Sequence, residues 1–167
     1  VQVQPCTALV QGDILTLPAH ANCEFNSKIA FVAEAEERFA VMQFMSGQSS
    51  TSGQQHAGDP AMMVVPPADQ FRSRYMFLTP QTYYVDYLTV VGANDPSLTL
   101  DGETISDRLC QGDQDAPCVI EPHTQIGNSE WGFTILRMDD GPHLIESRSG
   151  LPFGIMVYAY DDYVSYA

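Results

Sequence analysis

The sequence predicts an all-β fold, an antiparallel β-sandwich of jelly-roll or immunoglobulin-like form stapled by disulfides. Three observations predict it. Between Gly58 and Tyr87 the chain breaks into short apolar runs, each stopped by proline, which cannot donate to a ladder and so marks strand ends and edges. Charged residues make up only 17% against 44% hydrophobic ones, so the polarity comes from Ser, Thr, Gln and Asn, a surface better suited to sheets than to helices. The four cysteines form two sequence-local pairs, and neither has the Cys-x-x-Cys form of a zinc or redox centre.

At 167 residues the chain fits one domain, residues 1–167, able to bury a real core. Val1-Gln2-Val3-Gln4 alternates like a half-buried strand that Pro5 ends. Residues 8–17 and 24–32 carry β-compatible alternation, through Ile14, Leu15 and Leu17 and then Phe25, Ile29 and Phe31, and predict two further strands. The helix-forming run Ala33 to Arg38 is too short to nucleate alone and predicts a hairpin connection to a strand over Phe39 to Met45. Gly47 to Gly58 is a polar loop. Met62 to Val65 predicts a buried strand, Tyr75 to Leu78 and Tyr83 to Val91 two more. Ser97 to Leu100 runs into Asp101-Gly102, a strong hairpin cue. Glu103 to Glu121 reads as irregular and acidic, and Trp131–Met138, His143–Glu146 and Phe153–Tyr160 as closing strands.

The net charge of −14, with Lys28 the only lysine, repels phosphate backbones and anionic lipid, which disfavours nucleic acid and membrane-surface partners. No run of roughly 18 apolar residues is present, so no membrane insertion is predicted. The chain begins without a signal sequence, which with the paired cysteines predicts a mature, exported segment, extracellular or at the cell surface. Short-loop closure favours Cys6 with Cys23 and Cys110 with Cys118.

No nucleophile lies beside a base, and Gly127-Asn128-Ser129-Glu130-Trp131 is not the Gly-x-Ser-x-Gly elbow of a hydrolase. His20, His56, His123 and His143 lack the helical spacing of a metalloenzyme and read as surface or turn histidines. The chain therefore predicts no enzyme. The candidate ligand surface is the polar loop with Gln48, Gln54, Gln55 and His56, together with Trp131, whose flat ring suits a sugar face. Calcium is the one ion the acidic loops suit, through Asp101, Glu103, Asp107, Asp113 and Asp115; no other cofactor is implied.

Gly58-Asp59-Pro60, Pro66-Pro67, Tyr75-Met76-Phe77-Leu78-Thr79-Pro80, Leu100-Asp101-Gly102, Gly141-Pro142-His143, Tyr158-Ala159-Tyr160 and Ser165-Tyr166 occur in this order. In order and spacing this series resembles the N-terminal domain of the IgGFc-binding protein family. The resemblance is clear from Gly58 onward and weak over Phe39 to Gly47. Ala159 departs from it where glycine is usual, and Ala167 ends the chain where the family continues, which implies a piece of a longer protein. The Cys110 to Cys118 insert has no family counterpart. The resemblance, nearest the bacterial branch, implies adhesion or ligand binding to an extracellular protein or glycan, with the motifs at turns and strand ends. A rival expectation is a filament subunit that joins copies of itself by strand addition through Val1 to Gln4.

Overall fold

The computed structural model describes residues 4–5, 16–45, 47, 58–111, 116–161 and 164–167. Two antiparallel sheets face each other. The first runs β13 (Val164–Tyr166), β12 (Phe153–Asp161), β6 (Val85–Gly92), β10 (Gly132–Met138) and β9 (Cys118–Gln125). The second runs β5 (Arg74–Thr79), β11 (Gly141–Ser147), β7 (Leu98–Leu100) and β8 (Glu103–Thr104).

The two-residue period of the strands sorts side chains between the inner and outer faces. Along β6, Asp86, Leu88 and Val90 are buried while Tyr87, Thr89 and Val91 between them are half-buried. One core joins the sheets: Leu88, Val90, Leu136, Met138 and Phe153 come from the first, Leu100 and Ile145 from the second. Leu88, Leu100 and Ile145 are fully buried, positions where truncation to alanine costs about 2–5 kcal/mol. Tyr75 ties the layers at their edge: its ring lies edge-on to Phe153, and its hydroxyl donates to the Phe153 carbonyl at 2.8 Å. The predicted hairpin at Asp101-Gly102 is present, with φ of 52° and 86°, the double left-handed turn that this residue pair favours.

The N-terminal third departs from the prediction. β1 (Gln4–Pro5) pairs in parallel with β2 (Cys23–Glu24). Of the strand expected over 8–17, residues 8–15 lie outside the described residues, and Thr16 and Leu17 join no ladder. Beyond Glu24 the strand expected to Val32 does not form. The Ser27 hydroxyl donates to the Ile29 carbonyl and accepts from its amide, a local turn that competes with a ladder. Ile29, Phe31 and Val32 are consequently exposed, and Ala33 to Arg38 connects irregular chain, rather than a strand, to β3.

β3 (Val41–Phe44) and β4 (Met62–Val65) pair with each other as a two-stranded sheet. Met62 to Val65 is therefore not the buried strand expected: Met62 and Val64 are 56% and 60% exposed. A two-stranded ribbon has no second layer of its own to cover both faces.

At the other end, β9 replaces part of the expected irregular stretch, despite Pro117 and Pro122. It is an edge strand, where missing donors are tolerated, and its register against β10 shifts on both sides of Ile135. The Cys110–Cys118 disulfide closes an eight-residue separation just before it, and chain-entropy arithmetic values such a loop at about 2.5 kcal/mol.

Candidate functional site

The residues named from the sequence divide sharply. Gln48, Gln54, Gln55, His56, Asp113, Asp115 and Cys6 lie outside the described residues. Cys23 is disulfide-bonded. Glu103 is exposed on β8, and Asp107 ends a 3-10 turn over Ile105–Asp107. Trp131 is half-buried, with its ring and that of Phe71 edge to face at 5.8 Å, so part of its surface packs within the chain.

Asp101 is engaged in a hydrogen-bonded knot. Its left-handed backbone turns the carboxylate back over β11, where Oδ1 accepts from the Leu144 amide and Oδ2 from His143 Nδ1, both at 2.8 Å. On the other side of the ring, Nε2 lies 3.0 Å from the Asp139 carbonyl and 3.2 Å from Thr79 Oγ1. His143 is only 6% exposed, which corrects the expectation of a surface or turn histidine. Hydroxyl, imidazole and carboxylate stand here in the order of a nucleophile, base and orienting acid. The Thr79 hydroxyl, however, points its one hydrogen at the backbone: the Asp139 carbonyl is 2.6 Å away and the Gly141 carbonyl 3.1 Å. Thr79 is 1% exposed, and the group joins β5, β11 and the β7–β8 turn as a clasp.

A second clasp closes the sheet edge. The Gly58 amide donates to the Asp161 carbonyl at 2.8 Å, and the Ser165 hydroxyl donates to the Asp59 carbonyl. A side chain at Gly58 would collide with the Tyr160 ring, 2.8 Å from the Cβ position. Tyr166 donates to buried Asp86. A third clasp gathers Ser97, Ser147 and Ser149 around Asp95.

These contacts account for the separated motifs of the sequence. Thr79, Asp101 and His143 meet in one knot, and Gly58 and Asp59 meet Tyr160 and Ser165 in another. Motif residues far apart in the chain are joined because they hold turns and edges together.

The surface offers binding groups that the motifs do not supply. Met42 lies opposite Val64 and Phe44 opposite Met62 in the β3–β4 ribbon, giving one face of four apolar side chains, each 55–60% exposed. On the outside of the four-stranded sheet Met76 and Leu78 are 79% and 65% exposed. Alternation in the sequence marked these residues as strand, but which face finds a covering layer depends on tertiary packing. On the five-stranded sheet Tyr87 and Tyr158 stack, the Tyr160 ring lies edge-on to both, and burial pushes the pKa of all three phenols above the ordinary tyrosine value.

A family model described as IgGFc binding protein matches residues 1–159, which extends the likeness from Gly58 back to the start of the chain. No curated protein and no solved structure matches.

Proposed function

The chain belongs to the IgGFc binding protein family, and from that membership we propose an extracellular, non-catalytic adhesion domain that holds a protein partner. Among the described residues no helix is long and apolar enough to cross a membrane, which is compatible with secretion or surface display. The observation that carries the choice of a protein partner is the face formed by Met42, Phe44, Met62 and Val64. Contiguous exposed apolar side chains of this kind mark interaction surfaces. Acidic residues Glu34, Glu36, Glu37, Asp59 and Asp69 occur in the neighbouring chain segments and favour a partner with a basic rim.

The test is binding of the purified full chain to immobilised extracellular proteins, with immunoglobulin Fc, the partner in the family's description, as the first analyte. Saturable binding that weakens about tenfold or more in the Met42→Ser/Phe44→Ser variant is the expected result. Binding to glycan alone, or protein binding indifferent to that variant, overturns the assignment.

A second reading, subunit of an extracellular filament, draws on β5. Among the described residues this strand pairs on one side only, and strand addition uses such edges. Light scattering on the same preparation separates the two, since a filament subunit assembles without any added partner.

A further inference from the structure

A cavity of about 320 Å³ opens between the two sheets where β6 runs out into the turn Ala93-Asn94-Asp95-Pro96. Val90, Leu98, Val119 and Phe153 form its apolar walls, and Asn94 and His123 supply polar groups. That volume falls in the range of small-molecule sites and is about twice that of an engineered apolar cavity that takes benzene.

Several features of the chain build this opening. Between Phe133 and Ile135 the register of β9 moves from Thr124 to Glu121, so an extra residue is inserted at Pro122-His123; a second insertion falls at Ile120. Such bulges bend a strand and re-aim its side chains. Opposite the first bulge stands Gly132, where a Cβ would lie 2.4 Å from the His123 ring, so glycine leaves the space the imidazole occupies. The Cys110–Cys118 disulfide anchors the start of the same strand, and Leu109 bridges to Val119 beside it. Among the described residues the half-buried His123 imidazole has no hydrogen-bond partner, nor has the amide of Asn94, which is exposed; both line the cavity. Asp95, which also lines the cavity, is occupied by its serines.

We infer that this cavity is a binding site for a small, uncharged molecule with a compact apolar body and one hydrogen-bonding group. The body packs against Val90, Leu98 and Phe153, and the polar group meets Asn94 and His123. Asp95 at the wall and the net charge of −14 disfavour an anionic ligand. The site is separate from the apolar ribbon face proposed for a protein partner, so each can fail without the other.

Indole, which is bicyclic and neutral with one N–H, is the probe, and indole-3-acetate its anionic counterpart. Titrated into the isotope-labelled full chain, indole is expected to shift the amide resonances of Asn94, His123 and Thr134 and to saturate. Thr134 also lines the cavity, and Thr134→Phe, which fills it, is expected to abolish those shifts. His123→Ala is expected to weaken binding by up to about tenfold, the value of one neutral hydrogen bond. Indole-3-acetate should bind at least about tenfold more weakly than indole. Absence of saturable shifts in the wild-type chain overturns the site, as does unchanged affinity in a folded Thr134→Phe. Should that variant not fold, Thr134→Leu takes its place with the same two readings. Equal binding of indole-3-acetate overturns the ligand class, and an unaltered affinity in His123→Ala overturns the polar contact.

Discussion

Tyr166 donates its phenolic hydrogen to Asp86 Oδ1 across 2.6 Å, joining the edge strand β13 to a carboxylate on the inner face of the central strand β6. Asp86 is only 2% exposed. Burial pushes its pKa above the usual carboxylate value; the Tyr166 hydrogen bond opposes this, Asp140 adds to it, and His143 opposes it. Tyr166 in turn is pushed far above the ordinary tyrosine range, by burial first and then by the bond to Asp86.

Removing the phenol in Tyr166→Phe strands a buried carboxylate without this donor and is predicted to cost about 1–3 kcal/mol. Asp86→Asn keeps an acceptor for Tyr166 and removes the charge. Because the folded carboxyl holds its proton more tightly than the unfolded one, its stabilising contribution is full below the ordinary carboxylate range. It is lost as pH rises through the raised folded value. Urea unfolding from about pH 4 to about pH 7 should therefore show Asp86→Asn gaining on the wild type as pH rises. A constant difference between the two would show that Asp86 carries no such shift.

Asp95 has the opposite sign. Burial pushes its carboxyl up, but hydrogen bonds from Ser147, from Ser97 through both side chain and backbone, and from Ser149 outweigh this and hold it below the usual range. Its contribution is present above the ordinary carboxylate value and is lost as pH falls through the depressed folded one. Asp95→Ala should destabilise by about 1–3 kcal/mol at neutral pH, moderated by contact with water, and by progressively less on acidification. Urea midpoints across the acid limb test this, and a penalty that persists undiminished in acid would point to packing in place of charge.

The strand pattern of the sandwich was legible because it is local. Val85 to Val91 and Ser97 to Leu100 mark their own strands and Asp101-Gly102 names its own turn, but they do not say which face turns inward: Asp86 and Thr99 are buried while Tyr87 and Leu98 are half-buried. Glu24 to Val32 alternates equally well yet forms no ladder beyond Glu24, because alternation does not reveal whether a partner strand exists or whether Ser27 will bond its own backbone. β9 was illegible for the reverse reason: Pro122 within it and Pro117 just before it signal a break, and only its place at the sheet edge makes Pro122 tolerable. At the site level the motif residues were visible but their meeting was not. Thr79, Asp101 and His143 are separated by long stretches of chain, and nothing in their spacing shows that β5, β11 and the β7–β8 turn are neighbours. His123 offered less still, since its place in the cavity depends on a bulge and on Gly132.

Two glycine-to-alanine substitutions separate packing from backbone strain. At Gly154 on β12 an added Cβ would lie 2.4 Å from the Phe71 ring, and Phe71 in turn lies edge to face with Trp131. Gly154→Ala must displace Phe71, an overpacking predicted to cost about 1–3 kcal/mol. Trp131 is the only tryptophan, so its fluorescence reports that displacement directly, and the emission should shift as the indole loses its neighbour. Gly102 has a φ of +86° and open space around its Cβ position, so Gly102→Ala meets no atom and bears only the left-handed backbone penalty, about 1–2 kcal/mol. It should lower the urea midpoint while leaving the native emission unchanged. A Gly154→Ala protein with wild-type emission and stability would mean that Phe71 does not rest on Gly154, and the arrangement of Trp131 above the five-stranded sheet would have to be redrawn.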